Sequence, residues 1–425
     1  MNDTPLNLPD TADHVVSSTR AVPWRRWLLA FDGYNLTTNL LFTSAIWVIY
    51  LAAHGYSPLA IGLFETLFHA AKFIAEVPTG IFADLLGRRR SLIIYCLLQI
   101  VDNLLFLVPA VPMLILSFSL AGISYAFYGG ANDALLWSLA GYADPERQAI
   151  RYSKLVSRMY LISLVGSIVG TALGGYLGGL LQVLPFLCRA IIMALGIVPL
   201  LLLPEQKAEF GQHARPHPIR HFMQGLRAVW RSPVLFGLLL ISGLTESCWQ
   251  TVYFYYQLYL HGLGFALSSI GLIVAVSMGS NFLFTALAPW IMRRLPERWL
   301  VPIFVALQML GLLLMSLPFS SLLGLFGYLI PFQAALAVLG SAMSTYINVR
   351  SPEEQRATVL SFQTGLFSAA MIVLFPLFGL GISHVSYATV YLWTLIALCG
   401  GSGAIGVMVW WLLRKRRLSR AGLSS

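Results

Sequence analysis

The sequence predicts an all-α membrane protein in which twelve transmembrane helices form two pseudo-symmetric halves of six. Of its 425 residues, 58% are hydrophobic and only 10% are charged, and the mean hydropathy of +0.76 lies outside the soluble globular range. Apolar stretches of about twenty residues, the length that crosses a bilayer, follow one another along the whole chain. The sequence PERQ at 145–148 has a counterpart, PEEQ, at 352–355, which indicates two related halves.

The predicted spans form two bundles that are joined by one long loop. They cover residues 27–51, 59–82, 91–109, 112–139, 153–181, 185–203, 233–260, 267–292, 299–317, 321–348, 357–382 and 388–413. The predicted domains are an amino-terminal tail (1–24), a first half (25–203), a linker (204–232), a second half (233–413) and a basic tail (414–425). Arginines and apolar residues recur on opposite sides of the second part of the linker, which predicts an amphipathic helix at the membrane surface.

The positions of the basic residues predict how the chain is oriented in the membrane. Of the 27 Lys and Arg, all but Lys72 and Arg189 fall in the two tails, in the loops that follow the even-numbered spans, or within a helical turn of these segments. By the positive-inside rule, both termini face the cytoplasm and the protein is a multi-pass protein of the cell membrane. The net charge of +10 therefore reflects topology, and we expect the lipid bilayer, not nucleic acid, as the partner. Residues 1–24 are polar, so no cleaved signal peptide is expected.

A polar stripe in the second predicted span is the first candidate for a functional site. Glu65, His69, Lys72 and Glu76 are spaced by four, three and four residues, so they share one face of a helix. Ionisable groups at membrane depth cost several kcal/mol unless they meet a partner or a wet cavity, which makes them functional candidates. The stripe therefore predicts either a cavity that binds a solute or protons, or a ladder of salt bridges that is satisfied within the helix.

Further polar residues within the spans are candidates for binding a substrate or protons. They are Asp32 and Asn35 in the first span, Asp133 in the fourth, and Glu246, Trp249 and Gln250 in the seventh. Asp133 fits local packing equally well. For Asp102 and Arg189 we expect a structural ion pair between neighbouring helices, or an Arg189 side chain that reaches the membrane interface.

Glycines and cysteines in the spans suggest packing more than chemistry. Gly166, Gly170, Gly174 and Gly178 follow at intervals of four and predict a groove in which another helix packs closely or slides. The four cysteines lie in apolar segments without metal-ligand spacing, so we expect neither a metal nor another cofactor. A proton gradient is the expected source of energy.

The loop after the second span carries a specific motif. Gly80-x-x-x-Asp84-x-x-Gly87-Arg88-Arg89-Arg90 resembles the signature of the major facilitator superfamily, and the resemblance extends over almost the whole chain. It implies a transporter with two six-helix halves and no enzymatic activity. It also implies that Gly80, Asp84, Gly87, Arg88 and Arg89 form a cytoplasmic gate, in which Asp84 and Arg88 lock against the eleventh span.

Finer features indicate the kind of transport. Glu76–Gly80 and the segment 356–361 resemble bacterial efflux permeases, which favours proton-coupled export of an amphipathic or cationic compound by a monomer. Thr171 replaces the proline of the family's exporter motif, and the fourth span lacks a buried arginine; both departures weaken the assignment as an antiporter. The alternatives are uptake of a small metabolite, which could be anionic and bound by Lys72, or lipid translocation.

A membrane enzyme or receptor on the same scaffold is the hypothesis from another class. A nucleotide-driven device needs a Gly-Lys-Ser/Thr phosphate loop, but none of the four lysines follows a glycine, so no nucleotide is expected. No extramembrane domain offers a nucleophile with its base.

Overall fold

The computed structural model describes residues 24–143, 146–204, 227, 229–317, 321–351 and 356–421, and these fold almost entirely into helices. The helices of the first half are α1 (Trp24–Asn39), α2 (Trp47–Ala53), α3 (Pro58–Leu86), α4 (Arg88–Leu105), α5 (Val111–Ala143), α6 (Gln148–Leu180) and α7 (Leu184–Leu201). Those of the second half are α8 (Pro233–Gly262), α9 (Leu267–Arg294), α10 (Glu297–Ser316), α11 (Ser321–Leu329), α12 (Pro331–Arg350), α13 (Arg356–His384) and α14 (Tyr387–Ala421).

The helices confirm the predicted fold class. Within the described ranges, nine helical segments are long and apolar enough to cross a membrane, counting α11 and α12 as one. The other three predicted spans coincide with α1 and α2 together, with α4 and with α8, which are interrupted or richer in polar side chains. The tenth predicted span is divided at Ile330, where Pro331 occupies the first turn of α12.

The first predicted span is not one continuous helix, which corrects the prediction for residues 27–51. Its helix ends at Asn39 and resumes at Trp47, and residues 40–46 form a series of turns, called here the break segment. Thr38 donates its hydroxyl to the Tyr34 carbonyl at 2.8 Å, and Asn39 donates its amide to the Asn35 carbonyl at 2.9 Å. Such local side-chain bonds compete with continuation of the helix.

The two halves pack against each other through three pairs of helices. We call the end of the bundle where α1 begins and α14 ends the terminal side, and the opposite end the far side. Across the boundary between the halves, α3 packs on α13, α6 packs on α9, and the short α2 packs on α8. The largest apolar core contains Tyr50, Tyr255 and Phe375 and so includes residues from both halves.

Several segments of the sequence lie outside the described residues. Most of the linker part for which an amphipathic helix is predicted belongs to them, as do all of the amino-terminal tail before Trp24 and residues 352–355. At the end of the linker, Val229 is fully buried against the second half, in a cluster with Leu235 and Leu239.

Candidate functional site

A cavity of about 690 Å³ lies between the two halves and carries most of the polar residues at membrane depth. Its wall includes Glu65 and Lys72 from α3 and Glu246, Trp249 and Gln250 from α8, five of the nine residues that the sequence nominated. A second space of about 410 Å³ also borders Glu246 and continues towards the terminal side. The candidate site therefore receives side chains from both halves.

Hydrogen bonds between the halves close the far side of the cavity. The hydroxyls of Ser44 and Tyr253 lie 2.9 Å apart, and the Gln257 side-chain amide donates to the Ser44 carbonyl at 3.1 Å. Nearer the end of the bundle, the Tyr255 hydroxyl donates to the Pro58 carbonyl at 2.8 Å. These bonds join α8 to the break segment and to the start of α3.

A contact between glycines adds to this closure. A Cβ placed on Gly175 of α6 would lie 2.5 Å from the Cα of Gly271 in α9, and the reverse contact is 2.6 Å. Real Cβ atoms do not come so close, so only glycine at both positions allows the two helices to meet. The far side is thus closed by backbone contact as well as by hydrogen bonds.

The predicted glycine groove on α6 holds the break segment. A Cβ on Gly170 would overlap the backbone of Leu40 and Leu41, and one on Gly174 would overlap the Phe42 carbonyl. Gly166 approaches the Leu36 and Asn39 carbonyls, and Gly178 packs on the Ile46 side chain. The partner of these glycines is therefore α1 with its irregular continuation.

Arg189 is bonded to the break segment from within the first half. Its guanidinium donates to the Leu40 carbonyl at 3.0 Å, and its side chain is buried. Asp102 also lies on the cavity wall and accepts a hydrogen bond from the Ser117 hydroxyl. Both residues are described, and they form no ion pair within 4.0 Å of each other, which corrects the expected pair. The alternative, an Arg189 side chain that reaches the membrane interface, is not supported, because the side chain is buried and donates to the Leu40 carbonyl.

The stripe on α3 divides into one close pair and one separate cation. His69 Nε2 lies 3.5 Å from Glu65 Oε1, and both side chains are buried. Lys72 forms neither an ion pair nor a side-chain hydrogen bond with any described residue, although Glu76, Glu246 and Glu65 interact with it electrostatically, in that order. The salt-bridge ladder that the spacing allows is thus not formed within 4.0 Å at Lys72.

The second half provides an aromatic and amide-rich wall. The Trp249 indole donates to the Gln333 side-chain oxygen at 3.2 Å and stacks on the Tyr253 ring at a centroid distance of 4.9 Å. Glu246, one turn away, has no ion-pair or hydrogen-bond partner among the described residues, and its electrostatic interaction is with Lys72. Sequence reasoning missed Gln333 and the cavity residue Asn281, because a single amide in an apolar span has no spacing to mark it.

Four nominated residues do not lie on the cavity wall. Asp32 forms an ion pair with Arg158 of α6 at 2.6 Å, and Asn35 is buried with its amide on the Phe31 carbonyl at 3.0 Å. Glu76 is half-buried beside the wall, whereas Asp133 is exposed. The binding role expected for these residues therefore finds no support in the cavity geometry, and for Asp32 the neighbouring cation is the physical reason.

The motif spans the end of α3 and the start of α4, and the turn between the two helices is at Gly87. Gly87 adopts φ 99°, a conformation that favours glycine, and lies between the two helices. Arg88 donates to the Ala134 carbonyl and to the Ser138 hydroxyl, both at 2.8 Å, while Arg89 donates to the Leu203 carbonyl at 2.7 Å. The surroundings of Gly80 are open, and the Asp84 side chain is not among the described ones. The gating role of this motif stays a prediction.

Comparisons with known proteins show the family through one family model and the fold through solved structures. The model of the Major Facilitator Superfamily matches residues 33–364. The uncharacterized MFS-type transporter YxaM of Bacillus subtilis (strain 168) is 24% identical over 343 residues, which cover 79% of this chain and 84% of that protein. A mutant of the nucleoside transporter NupG superposes with a TM-score of 0.78 at 15% identity, covering 90% of this chain and 99% of its own. For a D-xylose-proton symporter the TM-score is 0.71 at 16% identity, covering 91% and 96%.

Proposed function

Since the chain belongs to the Major Facilitator Superfamily, we propose that it is a secondary active transporter that moves a small charged organic solute by alternating access between its two halves. The observation that carries this proposal is the central cavity, whose wall takes Lys72 from one half and Glu246 from the other. A site shared in this way is exposed to one side or the other when the halves rock about it. The contacts on the far side belong to the state in which the cavity is closed on that side.

Coupling to protons is part of the proposal. Glu65 and Glu246 both lie on the wall, and a carboxylate buried at membrane depth exchanges protons when its surroundings change from closed to wet. Glu65 has His69 as its neighbour, whereas Glu246 has no ion-pair partner among the described residues. Glu246 is therefore the first candidate for the group that carries the proton.

Export of an amphipathic or cationic compound is the direction that we propose. The acidic side chains on the wall, with the rings of Phe68, Trp249 and Tyr253, favour a cation with an apolar body. Uptake of a metabolite with an acidic group is the second candidate, and the observation that favours it is that Lys72 has no carboxylate of a described residue within 4.0 Å. An exporter and an importer differ in which side of the membrane their solute leaves.

The test begins with an untargeted comparison of the compounds retained by cells with and without the protein. An exporter lowers the intracellular level of its solute, and an importer raises it. The identified compound is then followed in vesicles that contain the purified protein, with and without an imposed pH gradient. Glu246→Gln should abolish the gradient-driven flux, whereas Glu146→Gln, a change in an exposed turn, should not. If no compound is moved faster by the gradient, proton-coupled transport is wrong.

A further inference from the structure

We infer that the solute is a zwitterion, whose acidic group binds Lys72 of the first half and whose cationic group binds Glu246 of the second. The inference rests on the proposed function, because it names the solute class of that same cavity. It depends on the charges that remain accessible once every neighbouring pair is accounted for.

Most charged groups on the wall already have partners. Glu65 is shared with His69, and Asp102 accepts a hydrogen bond from Ser117. Arg189 is 2% exposed and donates to the Leu40 carbonyl, so part of its hydrogen-bonding capacity is taken by the backbone and little of its side chain faces a solute. These groups form the frame of the cavity and leave little charge for a solute.

Lys72 and Glu246 are different, because they are partly exposed and face the cavity from opposite halves. They interact electrostatically, but no ion pair within 4.0 Å joins them, and neither has a hydrogen bond to a described residue. Opposite charges held apart across a cavity at membrane depth leave room for a molecule that contacts both. Such a molecule satisfies each charge with a charge-assisted hydrogen bond.

A zwitterion with an apolar body is an amphipathic compound that carries a cationic group, so it lies within the class proposed above, and it fits this arrangement better than a solute with a single charge. A simple cation that binds Glu246 also meets the repulsion of Lys72, and a simple anion at Lys72 meets Glu246, Glu65 and the adjacent Glu76. A zwitterion avoids both costs and also bridges the halves, so that its binding depends on their relative position. Phe68 and Trp249 lie on the same wall, so an apolar body between the two charged groups is accommodated.

The experiment measures thermal stabilisation of the full-length protein in detergent by matched sets of compounds. Each set consists of a zwitterion, its carboxamide (a cation), its N-acetyl form (an anion) and the form with both changes (neutral). The zwitterions are amino acids with apolar side chains, ω-amino acids of increasing length and 4-(aminomethyl)benzoate. At least one zwitterion should raise the melting temperature by about 2 °C or more at saturation. The other three forms of that compound should need a concentration at least about tenfold higher to give the same stabilisation.

Two variants separate the roles of the charges. Lys72→Gln should remove the advantage of the zwitterion over its carboxamide, and Glu246→Gln should remove the advantage over its N-acetyl form. Lys154→Gln and Glu146→Gln, which remove the same charges at exposed positions outside the cavity, should leave both preferences unchanged. If both cavity variants weaken all four forms equally, the two charges act on conformation and the inference is wrong.

The remaining outcomes also decide. If no zwitterion stabilises the protein more than its singly charged forms do, the inference is overturned, and the same holds if no compound stabilises it at all. Gradient-driven flux of another solute would still support the proposed transport function. If a zwitterion binds with the expected charge requirements but no flux is found, the inference holds and the transport proposal fails.

Discussion

The hydroxyl of Tyr253 lies 2.9 Å from that of Ser44, and this hydrogen bond joins the second half of the protein to the break in its first transmembrane span. Tyr253 also stacks on Trp249, and Ser44, Tyr253 and Trp249 all lie on the cavity wall. Tyr253 therefore lies both on the wall of the candidate site and in the contact that closes the far side. Removal of its hydroxyl should alter the balance between the two states.

Tyr253→Phe should make the cavity more accessible from the far side. The loss of one hydrogen bond between the halves costs about 0.5–1.5 kcal/mol, which corresponds to a two- to tenfold shift in the ratio of states. For the measurement, Ser167 is replaced by cysteine in a variant that lacks the four native cysteines. The rate at which a thiol reagent that does not cross the membrane labels this cysteine from the far side is then compared. Tyr259→Phe, whose hydroxyl bonds to no described residue, is the control, and equal rates in both variants would contradict the gate.

Gly174→Ala should destabilise the protein, because its Cβ would overlap the Phe42 carbonyl in the break segment. Overpacking of this kind typically costs about 1–3 kcal/mol. Gly179→Ala is the matched control on the same helix, since its Cβ would approach nothing closer than the Ser268 nitrogen at 4.0 Å. The melting temperature of each variant decides, and equal values would mean that α6 does not hold the break segment closely.

Gly271→Ala should disfavour the far-side-closed state rather than the fold as a whole. Its methyl group would lie 2.6 Å from the Cα of Gly175, a contact that exists only while α6 and α9 meet. Gly279→Ala, which would meet only Ile168 at 3.9 Å, is the control. We expect faster far-side labelling of the cysteine at Ser167 for Gly271→Ala alone. A lower melting temperature without faster labelling would show a packing defect and not a gate.

Gly87→Ala should lower stability by about 1–2 kcal/mol, because alanine at φ 99° is strained. Gly80→Ala should have the opposite sign, because its Cβ meets no atom within 4 Å and alanine favours an α-helix. Denaturation of the two purified variants in the same detergent tests this difference. An equal effect of both substitutions would argue against a special role for the Gly87 turn.

Asp84→Asn should impair transport and leave binding almost unchanged. By resemblance to the family, this carboxylate belongs to the gate and not to the cavity, so we expect at least a tenfold loss of flux with an affinity change below about twofold. The flux assay in vesicles and the thermal stabilisation assay measure the two quantities separately. Weaker binding of the solute, with flux lost in proportion, would contradict the gating role.

Hydropathy was sufficient to place the spans, as α8 illustrates: the predicted range 233–260 differs little from Pro233–Gly262. It could not reveal the break at residues 40–46, since that stretch is apolar and contains neither glycine nor proline. The partners that stabilise the break, Arg189 and Gln257, are 149 and 213 residues away from the carbonyls they bind. Long-range contacts of this kind leave no local pattern in the sequence.

The candidate site was predictable only in part, because its residues are marked in the sequence by their charge but not by their contacts. Charge at membrane depth identified Glu65, Lys72 and Glu246, because such residues need a cavity or a partner. The same criterion chose Asp32, whose partner Arg158 lies near the start of the fifth predicted span, and no local pattern in the sequence links two residues so far apart. Depth identifies which groups need compensation, but only packing tells whether a protein side chain or a solute provides it.

The break in the first span also has an electrostatic consequence. The carbonyl end of a helix carries a partial negative charge of about half an electron, and α1 presents that end at membrane depth, directly before Leu40. Arg189 donates to the Leu40 carbonyl, so the helix terminus offsets part of its positive charge. The cavity is therefore more negative than a count of its side chains suggests, and of the Lys and Arg side chains on its wall, Lys72 and Arg189, only Lys72 has no hydrogen bond to a described residue.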